Sequence, residues 1–206
     1  FDKKGKMLHA RFADAFIRSK ARLTYQEAFT MLKGHDKGEV SSMVREAWKL
    51  ASILRRNRYA KGALDLDFPE VRAVMDKDGH VTDIITEEYD ESHQLIEECM
   101  LAANEAVALT LKNRNRPTIY RVHEEPDSAK LFEFGQLCKL YGHPVHDIGQ
   151  RQYLNELMKS IKGSPDEQLL KLALLKSLMR ARYDTEPLGH YGLATANYCH
   201  FTSPIR

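Results

Sequence analysis

The chain has 206 residues, of which 43% are hydrophobic and 29% are charged. This length is sufficient for one or two domains with a buried core. The formal net charge of +2 is too balanced to indicate a nucleic-acid partner by itself, because local patches decide such binding. Three widely spaced cysteines without a CxxC pair argue against a disulfide framework and a zinc ribbon. We expect a cytoplasmic protein without membrane contact or disulfide-linked partners, since no apolar run reaches transmembrane length.

The first part of the chain predicts mainly helices. Residues 6–18 alternate loosely and predict a strand that leads into a helix. Thr24 and Glu27 form a T-x-x-E capping box, which predicts a short helix from about Tyr25 to Leu32. Apolar residues at helical spacing predict a second helix from about Ser42 to Tyr59.

The middle of the chain mixes strands with a long helix. Two β-branched runs, at 71–75 and 81–85, flank an Asp-Gly turn and predict a hairpin. A helix from about Ser92 to Leu111 follows, and its apolar spacing places five residues on the inward face: Leu95, Cys99, Ala102, Ala103 and Ala106. Residues 118–122 predict a short strand.

Two further helices complete the prediction. Pro126 opens a helix that ends near Gly142. The Ser-Pro-Asp-Glu run at 164–167 has a capping serine, a proline at the first helical position and a glutamate after it, which predicts a helix to about Arg182. The sum is an α+β fold that is rich in helix and has a small antiparallel sheet.

The stretch from Gly189 to Arg206 is dense in glycine, polar and aromatic residues. Arg206 offers a planar fork of donors that suits phosphate and keeps its charge. Thr202 and Ser203 add hydroxyls, and His200 can donate to phosphate or ribose. These residues predict a clamp for the backbone of a single strand. A capped loop with Arg206 in a structural salt bridge explains the same residues equally well.

Two adjacent carboxylates, Glu97 and Glu98, fall inside the predicted helix of the middle region. Neighbouring helical side chains point about 100° apart, so one of them must lie near the buried boundary. Asn104 adds a polar group to an Ala-rich stretch of the same helix. Taken alone, the residues favour two solvated carboxylates on a helix surface.

Basic residues also occur at strand-like spacing elsewhere. Lys20 and Arg22 lie two apart, as do Arg121 and His123. Such pairs project to one side of an extended chain, which suits the wall of a nucleic-acid groove or an ordinary charged surface.

No metal ligand is predicted in this chain. Asp65 and Asp67 have an alternating spacing that can place two carboxylates on one face, but a polar strand edge is the simpler interpretation. His143 and His146 lack the further ligands that a zinc site requires.

Five segments, in this order, resemble blocks of the ribonuclease II and ribonuclease R family, and the resemblance is closest to ribonuclease R. The segments span nearly the whole chain: SKARLTY, KGALDLDFPE, ESHQLIEECMLAANEAVA, YRVHEEP and GHYGLATANYCHFTSPIR. The resemblance implies an RNB-type catalytic domain of a magnesium-dependent 3′-to-5′ exoribonuclease. It also implies that single-stranded RNA is hydrolysed processively to nucleoside 5′-monophosphates.

The resemblance further implies roles for individual residues. Glu98 would lie near the scissile end of the RNA, with Glu97 as the alternative, and Arg206 would contact the scissile phosphate and stabilise charge in the transition state. Where the family often carries an aromatic residue that stacks on a terminal base, this sequence has Leu66, and Phe68 would share its face of a strand. The other implied RNA contacts are Lys20, Arg22, Arg121, His123, His200, Thr202 and Ser203.

The aspartate cluster of the family, D-x-x-x-x-x-D-x-D-D, precedes the SKARLTY block and supplies the magnesium ligands. No such pattern occurs in these residues, and the first residue is Phe1. We therefore expect residues 1–206 to be a partial RNB catalytic domain, without the upstream aspartates and a downstream portion, that is inactive in isolation. Two alternatives stay open: a catalytically inactive RNB-like domain that binds RNA, and a helical interaction domain without an RNA role.

Overall fold

The computed structural model describes residues 1–66, 68, 70–87 and 89–202. These residues form six helices and two small antiparallel sheets of two strands each, which confirms the predicted α+β fold. In chain order the elements are α1 (Tyr25–Lys33), α2 (Glu39–Ala60), β1 (Glu70–Met75), β2 (Val81–Glu87), α3 (Glu91–Asn113), β3 (Tyr120–Val122), α4 (Ser128–Leu140), α5 (Arg151–Ile161), α6 (Glu167–Ser177) and β4 (Arg182–Asp184). They belong to two compact units, 1–55 with 67–100 and 56–66 with 101–206.

The first unit contains a small core and a hairpin. Its buried apolar residues are Val44, Ala51 and Leu95. The predicted capping box is confirmed, since Thr24 Oγ1 accepts from Glu27 N at 3.2 Å and Thr24 N donates to Glu27 Oε2 at 2.7 Å. The predicted hairpin is also confirmed as antiparallel β1 and β2.

The strand and helix expected at residues 6–18 do not form, and this part of the chain is irregular. Its apolar side chains remain in solvent: Phe12 is 48% exposed and Phe16 is fully exposed. Alternation alone was the wrong signal here, because a strand also needs a hydrogen-bonding neighbour.

The second unit holds the larger core. Helices α4, α5 and α6 surround a cluster of buried residues that includes Leu131, Phe134, Leu154, Ile161, Leu170 and Leu174. Helix α5 was not anticipated from the sequence. Its first turn carries no side-chain cap from Gln150, so the usual start signal is missing.

The last helix is shorter than predicted. Ser164 is not its cap: Glu167 N donates to Ser164 O in a turn, and α6 begins only at Glu167. The helix ends at Ser177, because Leu178 adopts an extended backbone conformation. Residues 182–184 form β4, which pairs with β3 in antiparallel register, with Arg121 opposite Tyr183.

Helix α3 buries a stripe that differs from the predicted face. Cys99 is exposed, contrary to the expectation. From Ser92 to Asn104 a buried position recurs every three residues. Leu95 and Leu101 are apolar, but the other three buried residues are polar: Ser92, Glu98 and Asn104. Of the residues predicted to face inward, Leu95 and Ala106 are buried, whereas the apolar pattern did not indicate that Glu98 and Asn104 are buried on the same helix.

Candidate functional site

The stretch from Gly189 to Thr202, called here the signature loop, extends strand β3 by hydrogen bonds. Arg121 N donates to Tyr198 O at 2.9 Å, and His123 N donates to Gly189 O at 3.0 Å. In return, Tyr191 N donates to His123 O at 2.7 Å. The segments YRVHEEP and GHYGLATANYCHFT, which are far apart in sequence, are thus brought together at one place in the second unit.

Two histidine rings hold the turn of the signature loop. His123 Nδ1 accepts from Gly192 N at 3.1 Å, and His190 Nδ1 accepts from Leu193 N at 3.3 Å. Their ring centroids are 5.0 Å apart. Burial lowers the pKa of both rings. For His190, burial acts together with the nearby His123 and Arg121 and lowers the pKa to about 3. Both rings are therefore neutral near pH 7, with the proton on Nε2 and Nδ1 as the acceptor.

The end of the signature loop is held by Asn104 of α3. The Asn104 side chain is 1% exposed. Its Oδ1 accepts from Phe201 N at 3.1 Å, from Thr202 N at 2.8 Å and from Thr202 Oγ1 at 3.0 Å. Its Nδ2 donates to Tyr198 OH at 3.2 Å. Thr202 is thereby fixed, whereas the predicted phosphate contacts Ser203 and Arg206 lie outside the described residues.

Arg121, Tyr183 and His200 form a polar surface beside the loop. The hydroxyl of Tyr183 and His200 Nδ1 are 2.7 Å apart, within hydrogen-bond distance. The Arg121 guanidinium lies 4.8 Å from the centre of the Tyr183 ring, which is a cation–π distance. Burial, and secondarily Arg121, lowers the pKa of His200. Tyr183 is 57% exposed, so this group presents an aromatic ring and a fixed positive charge to solvent.

The two glutamates of α3 have different surroundings in the first unit. Glu98 is 2% exposed, and its Oε1 lies 3.6 Å from Arg55 Nη1. Glu97 is partly exposed, lies 3.3 Å from the same guanidinium nitrogen and accepts a hydrogen bond from Tyr89. The sequence predicts that one of the two glutamates lies near the buried boundary, and the structure shows that this residue is Glu98. Which glutamate lies near RNA stays a prediction.

The GALDLD block is tied to the signature loop by its backbone. Leu64 N donates to Gly192 O at 3.0 Å. Asp65 pairs with Lys162 at 3.2 Å, and Leu66 is partly buried against the core of the second unit. Phe68 is partly buried in the first unit, and Asp67 lies outside the described residues. The role of Leu66 or Phe68 in stacking stays a prediction.

Arg151 of α5 was missed by the sequence analysis and is central to this region. Its Nη1 donates to Gly62 O at 2.9 Å and to Tyr191 O at 2.7 Å. Its guanidinium also lies 3.9 Å from the centre of the Tyr191 ring. Its partners Tyr191 and Gly62 are 40 and 89 positions away in the sequence, so no local pattern indicated the contacts. The sequence showed only that the residue is an arginine.

An open pocket of about 330 Å³ lies next to these contacts. Its lining combines cations with two carboxylates, and the charged and imidazole groups are Lys61, His123, Glu124, Glu125, Arg151 and His190. By contrast, Lys20 and Arg22 lie exposed in the irregular segment before α1. Their predicted RNA contacts stay predictions.

The described residues offer poor ligands for magnesium. One group of three potential ligands lies in the β1–β2 turn, where atoms of Asp76, Asp78 and His80 are within 4.8 Å of one another. Asp76 Oδ1 already accepts from the backbone amides of Asp78 and His80, both at 2.9 Å. A two-metal centre needs several free carboxylates, so this exposed turn does not fit one.

The cysteines and the hydropathy of the helices were also predicted from the sequence. All three cysteines are free thiols, and burial raises the pKa of Cys138 to about 11. Across the described residues, no helix combines the length and the hydropathy that a membrane span needs.

Comparison with known proteins places these features in a family. The RNB domain profile matches residues 1–206. The chain is 36% identical to ribonuclease R of Aquifex aeolicus over 214 aligned positions, which is 100% of this chain and 30% of that protein. The chain thus spans about a third of the length of such relatives.

Solved structures give the same result for the fold. The chain superposes with a TM-score of 0.91 on Mycoplasma genitalium RNase R in complex with ribose-methylated single-stranded RNA, at 27% identity, covering 100% of this chain and 33% of that one. The fold is also shared, at 20% identity and a TM-score of 0.62, with yeast Ssd1, a pseudonuclease, over 89% of this chain and 23% of that one. From the match over its whole length, the chain belongs to the RNB domain family.

Proposed function

We propose that this chain is part of a 3′-to-5′ exoribonuclease that hydrolyses single-stranded RNA processively to nucleoside 5′-monophosphates. The observation that carries the proposal is the anchored signature loop, which is held by Asn104, His123 and His190 up to Thr202. Similarity over the whole chain to an RNase R in complex with single-stranded RNA supports the same assignment.

In this proposal the second unit supplies phosphate contacts and part of the wall of an RNA channel. Thr202 is the anchored end of the loop, and Ser203 and Arg206 follow it in the sequence. The guanidinium of Arg206 would neutralise a phosphate and stabilise developing negative charge. Arg121 and His200 add a cation and a neutral imidazole at the exposed Tyr183 surface.

Magnesium would supply a nucleophilic water and stabilise the leaving oxygen. We propose that its ligands are the family aspartates, which these residues do not include. Glu98 is the candidate carboxylate near the scissile end, and a cytoplasmic location also stays a prediction. It follows that the 206-residue chain alone is inactive.

A single-stranded RNA labelled at its 5′ end, incubated with magnesium and the chain, tests the proposal. We expect intact RNA on a sequencing gel, together with filter binding that weakens as salt rises, because phosphate contacts release counterions. A ladder that shrinks from the 3′ end would show that the chain holds its own metal ligands. Binding that does not depend on salt would contradict the proposed phosphate contacts.

The main alternative is a catalytically inactive RNB-like domain that binds RNA, since yeast Ssd1, a pseudonuclease, shares the fold. The coding sequence upstream of Phe1 separates the two cases: an open frame that encodes the D-x-x-x-x-x-D-x-D-D cluster argues for an enzyme. The same RNA assay on the chain extended by that segment then gives the decisive measurement. Shortening from the 3′ end is expected of the enzyme, and intact RNA is expected of the inactive relative.

A further inference from the structure

Tyr183 is an exposed aromatic residue on the outer face of the β3–β4 sheet. The two strands pair with Arg121 directly opposite Tyr183, so both side chains project from the same face. The neighbours of Arg121 in β3, Tyr120 and Val122, are buried on the opposite face. More than half of the surface of Tyr183 is therefore open to solvent, on the side of the sheet that faces away from the core.

Two contacts fix the ring of Tyr183, and a third holds its strand. The Tyr183 hydroxyl lies 2.7 Å from His200 Nδ1, within hydrogen-bond distance. The Arg121 guanidinium lies over the ring, 4.8 Å from its centre. In β4 the neighbouring Arg182 donates from Nη2 to Glu124 Oε1 at 2.7 Å. A ring that is already ordered loses little side-chain entropy when a ligand binds to it.

Arg121 carries a positive charge without a counterion among the described residues. Its half-buried guanidinium contacts the Tyr183 ring, and no described carboxylate lies within ion-pair distance of it. The carboxylates next to these strands, Glu124 and Asp184, are both paired with Arg182. Unused guanidinium donors favour an anion, and phosphate suits their planar geometry.

An open aromatic ring beside such a guanidinium suits one nucleotide of an unpaired strand. A base can stack on the ring, because every base has a π-face, while the guanidinium neutralises a phosphate of the same strand. Bases inside a duplex are already stacked on their neighbours, whereas unpaired bases are free to stack on aromatic side chains. The alternative is a structural role, in which Tyr183 only holds Arg121 in place.

We propose that Tyr183 stacks on one base of single-stranded RNA and that Arg121 binds an adjacent phosphate. This inference rests on the proposed function and adds to it a base contact that accepts unpaired nucleotides. The contact does not select among the four bases, since stacking depends on the π-face and not on the hydrogen-bonding edge.

RNA binding by variants of the 206-residue chain tests the proposal. The probe is a fluorescein-labelled 12-nucleotide oligouridylate, and the dissociation constant is measured by anisotropy over a salt series. We expect Tyr183→Ala to weaken binding about tenfold, within the range for loss of one stacked base, and to leave the salt slope unchanged. Arg121→Ala should lower the salt slope by about 0.7, the value for one phosphate on a single strand. Wild-type affinity in Tyr183→Ala, or a salt slope that falls as it does in Arg121→Ala, overturns the proposal.

Three further variants separate stacking from general destabilisation. Tyr183→Phe keeps the ring and should bind within about threefold of the wild type, whereas Tyr183→Leu keeps only apolar bulk and should bind as weakly as Tyr183→Ala. Tyr141→Ala is the matched control, because it removes another exposed tyrosine of the same unit, and it should leave binding unchanged. If Tyr183→Ala does not fold, as judged by circular dichroism, Tyr183→Phe and Tyr183→Leu decide, and equal binding by these two overturns the proposal.

A photochemical crosslink distinguishes failure of this inference from failure of the proposed function. Oligouridylate that carries 5-iodouridine reacts on irradiation with an aromatic side chain that contacts the base, and mass spectrometry of the peptides locates the bond. We expect the crosslink at Tyr183 and its loss in Tyr183→Leu. A wild-type chain that does not bind RNA overturns the proposed function. A chain that binds RNA in a salt-dependent way but crosslinks only at other residues overturns the stacking role of Tyr183, while the proposed function stands.

Discussion

The β1–β2 hairpin and the signature loop are both built around tight turns, yet they are stabilised in different ways. The hairpin turn is satisfied locally, because Asp76 Oδ1 accepts the amides of Asp78 and His80. Apolar side chains on its strands remain in solvent, with Val71 69% and Ile84 68% exposed. The signature loop instead depends on side chains that are distant in sequence, such as Asn104 and Arg151.

This difference indicates which kind of loop can hold binding residues in a fixed position. A locally determined turn needs little from the rest of the chain, so its geometry is not fixed by a core. A loop held by buried polar groups from several elements can present its residues in one position, which binding of a phosphate backbone requires.

Arg151→Ala should destabilise the second unit most. The change removes the donor to Gly62 O and Tyr191 O and the contact with the Tyr191 ring. Tyr191 O keeps the amide of Ala194 as a donor, but Gly62 O loses the bond from Arg151. The two lost hydrogen bonds and the lost cation–π contact should together cost about 3 kcal/mol of the free energy of unfolding. Urea denaturation followed by circular dichroism measures the effect. Arg180→Ala, at an exposed site, is the matched control and should change stability by less than about 0.5 kcal/mol. Equal losses in both variants would contradict the role of Arg151.

Acid should weaken the signature loop through His190. Its pKa is about 3 in the folded chain, chiefly because of burial, whereas the ordinary value in an unfolded chain is 6.5. The unfolded state therefore binds more protons between these values. Stability is then highest above pH 6.5 and falls towards pH 3, by about 1.4 kcal/mol per pH unit for this group.

His190→Asn isolates this contribution. An asparagine oxygen can accept from Leu193 N in place of Nδ1 and does not titrate. Between pH 7 and pH 5 the variant should lose about 2 kcal/mol less than the wild type, as measured by urea denaturation at each pH. His9→Asn, in the exposed irregular segment, is the control and should follow the wild-type profile. A His190→Asn profile parallel to the wild type would exclude His190 as the acid-sensitive group.

The comparison also explains how much could be predicted from the sequence. The capping box at Thr24, the hairpin at 71–75 and 81–85, and the long helices α2 and α3 follow from local rules of capping, turns and periodicity. Helix α5 was missed although its buried residues Leu154, Leu157, Met158 and Ile161 recur at helical spacing; Gln150 provides no side-chain cap to mark its start. Strand β4 could not be predicted in the same way, because it exists only where β3 is there to pair with it.

The residues of the candidate site likewise fall into those that local sequence patterns indicated and those that they did not. Sequence reasoning named Arg121, His123, His200 and Thr202 as candidate RNA contacts in two separate segments, and the structure brings these segments together in the second unit. It assigned no function to Asn104, because an amide in an Ala-rich helix shows only that something polar is buried. The buried stripe of α3 was predicted only in part for the same reason: Leu95 and Ala106 follow the apolar pattern, but the buried Glu98 and Asn104 do not.

Two glycines with nearly the same backbone conformation offer a matched pair. Gly79 in the hairpin has φ +85°, and Gly189 in the signature loop has φ +87°. Either substitution by alanine should cost about 1 kcal/mol for the left-handed conformation. A Cβ at Gly189 would also lie 3.3 Å from Thr195 O, whereas a Cβ at Gly79 meets nothing within 4 Å. Gly189→Ala should therefore lower the urea midpoint more than Gly79→Ala, and the reverse order would contradict the packing around the loop.

The smallest effect is expected at the hairpin turn. Asp76→Ala removes the acceptor for the amides of Asp78 and His80, and the backbone hydrogen bonds of these amides hold the Asp76 pKa below its ordinary value. Hydrogen exchange should become faster at amides of β1 and β2, while the melting temperature stays unchanged. Asp76→Asn keeps one oxygen acceptor and should exchange at nearly the wild-type rate. A large fall in melting temperature in Asp76→Ala would show that the hairpin is coupled to the core of its unit, and the distinction between a locally held turn and a loop held by distant residues would then fail at this site.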